Sequence, residues 1–165
     1  MKKEREYPNL QFTNATQLND PFDCHPKLID YSNVPKCVIN EDTPSKWWMD
    51  KEENDALDLR KGTWLCSLSK VKDSLLMWSH YCRNHSGICL GMDLEKVTEC
   101  ITIKGDRKIY VDPLMLEVQY RDILKRPDAY YSDEPYWYYQ WRTKAHEWGY
   151  EQELRFIVLN QNHKM

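Results

Sequence analysis

The sequence predicts an α+β fold: a single domain over residues 1–165, with a small mixed or antiparallel sheet and a few helices. Two observations lead to this prediction. The chain has 165 residues, of which 41% are hydrophobic and 30% charged, and this suits one globular domain with its own core. Short strand-like segments are also mixed with helix-like segments, without the regular alternation that is typical of a parallel α/β protein.

The strand candidates are short runs rich in β-branched, aromatic and other apolar residues, bounded by residues that favour turns. The run at 116–120 alternates between apolar and polar residues, which is typical of a half-buried strand. In chain order the candidates are residues 10–13, 64–68, 88–93, 101–103, 109–111, 116–120 and a last strand from Tyr150 or Glu151 to Leu159.

The helix candidates are recognised by caps and by apolar residues at helical spacing. The acidic segment 47–60 has weak apolar anchors, and a short helix is predicted over 94–100. Between them, Asp73 or Ser74 caps a helix that continues to about Arg83 and ends at Ser86-Gly87. The last helix starts at Ser132 or Asp133, carries many aromatic residues through Trp148, and stops at Gly149.

Charge and cysteine patterns exclude several classes of function. The formal net charge is -3, so there is no bulk positive field to hold nucleic acid. No segment reaches 18 apolar residues, and no apolar segment follows the basic start of the chain, so neither a membrane span nor a signal peptide is predicted. The six cysteines form no C-x-x-C pair. We therefore expect a cytoplasmic protein with reduced thiols and no metal site.

The predicted C-terminal strand carries Glu151, Glu153 and Arg155 at every second position, so that all three point to one face. One interpretation is a solvated face with a cross-strand ion pair, worth ~0.2–1 kcal/mol. The other is a carboxylate pair at a cleft. In that case one acid activates a nucleophile, while the second stabilises a developing positive charge.

A second polar cluster lies on the helix predicted after Ser74. It includes Trp78, His80, Tyr81 and His85, and Tyr81 and His85 are four residues apart. These side chains are either core aromatics with surface or capping histidines, or the wall of a ligand site. The spacing of His80, Cys82 and His85 scatters them around a helix, which argues against zinc.

A third motif is the turn around Asn19 and Asp20, which precedes Pro21. Either these residues only stabilise the turn, or the rigid turn presents their polar side chains to a ligand. The aromatic helix near the C-terminus has too few neighbouring positive charges to predict stacking on nucleic acid, so we expect it to form core and pocket wall.

Taken together, these segments resemble a bacterial family known as domain of unknown function 2971, over about residues 10–158. The resemblance implies a family and no activity. The motifs that carry it are Leu18-Asn19-Asp20-Pro21-Phe22-Asp23, Ser67-Leu68-Ser69, Leu76-Met77-Trp78-Ser79-His80-Tyr81, His85-x-Gly87-x-Cys89-x-Gly91-x-Asp93, Lys144 to Trp148, and Tyr150-Glu151-x-Glu153-x-Arg155.

The Ser67-x-Ser69 strand and the Glu151-x-Glu153 strand are also similar to a pattern of mono-ADP-ribosyltransferases. That resemblance implies NAD as substrate. The serine motif would help to place NAD, Glu153 would stabilise the oxocarbenium ion formed when nicotinamide leaves, and Glu151 would help to activate an acceptor. The early-strand residue that holds NAD in those enzymes has no evident counterpart here, so either the chain would be inactive or this role would pass to His80 or Tyr81.

Two hypotheses follow for the whole chain. In the first, an ADP-ribosyltransferase-like enzyme uses Glu153, Glu151 and His80 in catalysis, and a small-molecule or nucleotide ligand and a protein acceptor are its partners. In the second, the chain is a non-catalytic ligand- or protein-binding module that contains a structural Glu/Arg/His network. The residues expected to contact the ligand are Ser67, Ser69, Asn19, Asp20, Trp78, Tyr81, His85 and Arg155.

Overall fold

The main sheet is built around its C-terminal strand in a computed structural model that describes residues 10–94 and 114–159. This strand, β6 (Glu153–Leu159), pairs antiparallel on one side with β2 (Thr63–Ser69) and on the other with β3 (Leu114–Glu117). The short strand β1 (Thr13–Asn14) pairs with the outer edge of β2, which gives the order β1-β2-β6-β3. Because β6 is paired on both edges, its backbone N–H and C=O groups are not left exposed to solvent. This suits a strand whose sequence is mostly apolar.

The strand register decides which side chains of β6 share a face. Arg155 lies opposite Ser67, and Glu153 lies opposite Ser69. These four residues lie on the same face of the sheet as Leu65 and Ile157. Leu65 and Ile157 lie opposite each other and belong to the main apolar core. The polar end of β6 is therefore an extension of the core, and all residues from Glu153 to Val158 are buried.

A second, two-stranded sheet corrects the prediction for the last helix. Helix α3 (Tyr136–Arg142) ends six residues before Trp148, the last residue of the predicted helix. The chain then enters β5 (Thr143–Ala145), which pairs parallel with β4 (Gln119–Arg121). A 3-10 helix, His146–Glu151, follows. The β-branched Thr143 and the strand pairing end the α-helix, although aromatic residues at helical spacing continue beyond that point.

Two earlier helices agree better with the prediction. Helix α1 (Ser45–Lys61) covers the whole predicted segment and buries Ala56 and Arg60. Helix α2 (Leu75–Tyr81) begins after Ser74, whose side chain accepts a hydrogen bond from the backbone N–H of Met77 at 3.4 Å. It ends two residues earlier than predicted. Three consecutive residues beyond it have a left-handed backbone, and they are Arg83, Asn84 and His85.

The predicted strand at 88–93 is wrong. These residues pair with no described strand, and the Ile88 and Leu90 side chains are 78% and 69% exposed. An apolar run forms a strand only where the fold supplies an edge to pair with. The strands predicted at 101–103 and 109–111 lie outside the described residues, as does the helix predicted at 94–100 apart from Leu94.

The remaining elements are short 3-10 helices, which connect the N-terminal strand to α1. The predicted α+β class is confirmed by this mixture of small sheets and helices. Within the described ranges, no helix combines the length and the apolar character that crossing a bilayer requires. The 3-10 helices of this connection are Ala15–Gln17, Pro26–Leu28 and Lys36–Val38.

Candidate functional site: a buried ionic cluster beneath two hydroxyl groups

A kink at Gln152 brings the two late acids to the same place. Gln152 has a left-handed backbone with φ 42°, and it separates the 3-10 helix that ends at Glu151 from the strand that begins at Glu153. The side chains of Glu151 and Glu153 are only 5% and 4% exposed. The interpretation of this strand as having one solvated face is therefore wrong, because all residues of β6 from Glu153 to Val158 are buried, so both of its faces are covered.

Arg155 is the centre of the cluster and is fully buried. Two of its guanidinium nitrogens donate to the two carboxylate oxygens of Asp23, at 2.8 and 2.6 Å. Nε and Nη2 donate to the two oxygens of Glu153, at 2.7 and 3.0 Å. The guanidinium also donates to the Trp141 carbonyl oxygen and to Cys24 Sγ. A guanidinium with two bidentate carboxylates is fixed in position and orientation.

Lys144 joins the third acid to the cluster. Its Nζ lies 2.7 Å from Glu151 Oε2, 3.1 Å from Glu153 Oε2 and 3.4 Å from Asp23 Oδ2. Three carboxyl groups thus face two cationic side chains, and all five are nearly excluded from solvent. Burial of charge is tolerated only where the partners are this complete, because a lone buried ion has a desolvation cost of several kcal/mol.

Two hydroxyl groups form the outer layer of the cluster, and each contacts one acid. Ser67 Oγ donates to Glu153 Oε1 at 2.5 Å, and the Tyr81 hydroxyl donates to Glu151 Oε1 at 2.5 Å. The Tyr81 oxygen in turn accepts a hydrogen bond from Asn19 Nδ2 at 3.1 Å. Ser67, Tyr81 and Asn19 are exposed residues, so the acids lie directly beneath the surface.

The cluster fixes the protonation of its members. Burial alone would raise the pKa of Glu153, but the charge of Arg155, its hydrogen bonds and the charge of Lys144 outweigh burial and lower this pKa to about 2. Burial likewise opposes the charge of Lys144, yet Glu153 and Asp23 raise its pKa above the ordinary value. Glu153 is therefore an anion at neutral pH, and a strongly held anion is a poor proton acceptor.

Neighbouring groups that could act as nucleophiles are held in their neutral form. Burial, followed by the nearby Asp23 carboxylate, raises the pKa of the Cys24 thiol despite the opposing charge of Arg155. Burial and the hydrogen bond to Glu151 raise the pKa of Tyr81. Neither group is a thiolate or a phenolate at neutral pH, so the cluster supplies no activated nucleophile of its own.

The structure brings together six of the residues that the sequence singled out. Glu151, Glu153 and Arg155 lie in the cluster, and Ser67, Tyr81 and Asn19 cover it. Ser69 lies next to it and donates to the Glu151 carbonyl at 2.7 Å. The contacts of Ser67, Tyr81, Asn19 and Ser69 each join segments that are far apart in the chain.

Four other predicted site residues lie outside the cluster. The exposed His80 ring has its centroid 6.0 Å from that of Tyr150, and in the described part of the chain it donates no hydrogen bond to either acid. His85 is exposed, with a left-handed backbone. The Trp78 indole donates to the Lys72 carbonyl, and Asp20 Oδ1 accepts from the backbone N–H of Phe22 within the predicted turn.

Sequence reasoning missed Asp23 and Lys144 as members of the site. Both occur in the quoted family motifs, but neither was singled out as a site residue. A usable signal was present: an Arg and a Glu that open the most apolar strand of the chain require partners of opposite charge. The predicted helix includes Lys144, whereas the early end of α3 places this residue in β5, where it is buried.

A surface hollow borders the cluster. Its volume is about 470 Å³, and it lies between the loop after β2 and the kink at Gln152. The described residues contain no group of three His, Cys, Asp or Glu side chains placed to hold a metal ion. The residues that line the hollow are Lys70, Val71, Lys72, Asp73, Ser74, Tyr150 and Gln152.

Comparison with known proteins gives a match to one family over part of the chain, and no activity. No curated protein and no solved structure matches the chain. Residues 77–156 match the family described as "Protein of unknown function (DUF2971)", and this segment includes most of α2, the strands β3 to β5 and the charged end of β6. The matched segment, which supplies Tyr81, Lys144 and both late acids to the site, is similar to that family.

Proposed function

We propose that this chain is a non-catalytic ligand-binding module in which the buried ionic cluster has a structural role. The observation that carries the proposal is the saturation of Glu153. Both of its carboxylate oxygens accept two contacts each, from Ser67, Lys144 and Arg155. A carboxylate that is sealed and fully partnered has no oxygen left to offer a substrate.

The physical role of such a cluster is to define one arrangement of the chain. Arg155 joins the end of β6 to Asp23 in the N-terminal segment, and Lys144 joins β5 to both. Buried ion pairs add little net stability compared with apolar packing, but removal of one partner leaves an uncompensated charge. The cluster thus favours one register of three segments and holds the surface above it, where a ligand binds, in a fixed shape.

A second candidate function is an NAD-consuming ADP-ribosyltransferase-like enzyme. The contact between Ser67 Oγ and Glu153 Oε1 favours it, because it joins the serine strand and the late acid that the resemblance pairs. The permanent negative charge of Glu153 also suits stabilisation of an oxocarbenium ion. In this candidate Glu151 assists the acceptor, and the layer formed by Ser67 and Tyr81 opens to admit NAD.

One experiment separates the two candidates. The purified chain and its Glu153→Gln variant are incubated with NAD, free nicotinamide is measured, and both proteins are melted. We expect no nicotinamide release from the parent. We expect Glu153→Gln to lower the free energy of unfolding by about 3 kcal/mol, which is about 6–12 °C in Tm for a chain of this size.

Glu147→Gln is the matched control, because Glu147 is an exposed acid four residues before Glu151. We expect its Tm to stay within about 2 °C of the parent. Nicotinamide release by the parent that disappears in Glu153→Gln with no change in Tm would overturn the structural role and support the enzyme.

A further inference from the structure

Three aromatic rings form a row beside the hollow. The centroids of His80 and Tyr150 are 6.0 Å apart with their planes 33° from parallel, and those of Tyr150 and Trp148 are 6.2 Å apart at 37°. The row ends over the cluster, where Lys144 Nζ lies 5.0 Å from the centroid of the Trp148 ring. Tyr150, the middle ring, is also a wall of the 470 Å³ hollow.

The backbone around the hollow is held by hydrogen bonds from both sides. Ser69 Oγ donates to the Glu151 carbonyl at 2.7 Å, and the Lys70 N–H donates to the Gln152 carbonyl at 3.0 Å. The Trp78 indole donates to the Lys72 carbonyl at 2.7 Å and fixes the loop to α2. A hollow whose rim is fixed in this way loses little conformational entropy when a ligand binds.

The cations at the hollow are available to an anion. Lys70 Nζ lies 3.0 Å from Glu117, and Lys72 Nζ lies 3.3 Å from Asp73, but all four side chains are exposed. Exposed ion pairs of this type contribute between zero and about 1 kcal/mol. A phosphate with more than one negative charge can therefore take both ammonium groups from their present partners.

We propose that this hollow binds a nucleoside phosphate. Its planar base packs against the part of the Tyr150 ring that lines the hollow, and its phosphate pairs with Lys70 and Lys72. Asp73 and Gln152 also line the hollow, and their side chains have the polar groups that ribose hydroxyls can bond. The volume is within the range typical of small-molecule sites. This proposal rests on the ligand-binding function proposed above and gives its ligand class.

The test is titration calorimetry at low ionic strength with AMP, adenosine and ribose 5-phosphate as probes. We expect AMP to bind with a Kd below roughly 1 mM, and each of the two fragments to bind about tenfold more weakly than AMP. Ribose 5-phosphate that binds as tightly as AMP would overturn the contact of the base with Tyr150, and adenosine that binds as tightly as AMP would overturn the lysine contacts.

Variants of residues that line the hollow test whether AMP binds there. Tyr150→Ala is expected to weaken AMP about tenfold, while Tyr150→Phe, which keeps the ring, leaves it unchanged. Lys70→Met and Lys72→Met are each expected to weaken AMP about threefold and to leave adenosine unaffected. Lys51→Met, on α1, is the matched control and changes neither probe.

The lysine variants keep the proposal testable even if Tyr150→Ala fails to fold, since both lysines are exposed. Undetectable AMP binding by the parent, or AMP binding unchanged in all the hollow variants, would overturn the proposal. These outcomes are distinct from failure of the structural role of the ionic cluster, which is read from nicotinamide release and the Tm of Glu153→Gln.

Discussion

The polar end of β6 and the polar end of α2 are opposite cases of the same sequence feature. Both place several ionisable residues within a few positions, yet Glu153 and Arg155 are buried while His80 and His85 are exposed. The difference comes from their neighbours. Strand β6 is covered on both faces, so its polar side chains must find partners, whereas a short helix that ends in left-handed residues leaves its last side chains in solvent. Polarity in the sequence therefore gives no indication of burial until the pairing of the element is known.

Among the tests of this comparison, we expect the largest effect from removal of the central cation, Arg155. Arg155→Met leaves the Asp23 and Glu153 carboxylates close together without their shared guanidinium. We expect a loss of about 3–5 kcal/mol in the free energy of unfolding, measured by chemical denaturation. His80→Ala is the corresponding change on α2 and is expected to stay within about 0.5 kcal/mol. Equal losses in the two variants would show that the comparison is wrong.

The pH dependence of stability gives a smaller effect that is specific to one acid. The pKa of Glu153 is lowered from 4.5 to about 2 in the folded chain. The stabilisation linked to this group is therefore complete above about pH 4.5 and is lost as the pH falls from there towards 2. We expect a plot of Tm against pH to fall steeply in this window. The fall should be shallower in Glu153→Gln and unchanged in His80→Gln, and equal slopes in all three proteins would contradict the assignment.

The smallest expected effect is at the boundary between the two regions, where Tyr81 of α2 contacts Glu151. Tyr81→Phe removes one hydroxyl that donates to Glu151 and accepts from Asn19. We expect a loss of about 1 kcal/mol, since water can reach this half-exposed position and replace part of the bond. Tyr131→Phe, at an exposed tyrosine, should change stability by less than about 0.5 kcal/mol, and similar values for the two variants would remove Tyr81 from the site.

Local chemistry was readable from the sequence. The Ser74 cap, the extent of α1 and the turn at Asp20 were predicted because each depends on residues a few positions apart. The acid pair was also recognised, since Glu151 and Glu153 are close in sequence. Their burial was not, because it depends on side chains from distant segments that pack over them, such as Lys144 and Asp23.

The partners of the acids were harder to predict for two different reasons. Lys144 lies in a segment whose aromatic residues recur at helical spacing, and strand pairing with β4 overrides that local preference. Asp23 is far from Arg155 in sequence, and no periodicity connects two such distant positions. The family motifs contained both residues, but a motif gives identity and spacing without contact.

The bidentate pair between Asp23 and Arg155 also has a consequence for the order of folding. The two residues are 132 positions apart, so their contact closes most of the described chain into one loop. Contacts at such separation form slowly, because closing a long loop lowers the conformational entropy of the chain before the contact contributes any stabilisation. On a ribosome, Asp23 emerges long before its guanidinium. The nascent N-terminal half therefore cannot complete this corner of its interior until the last strand has been synthesised.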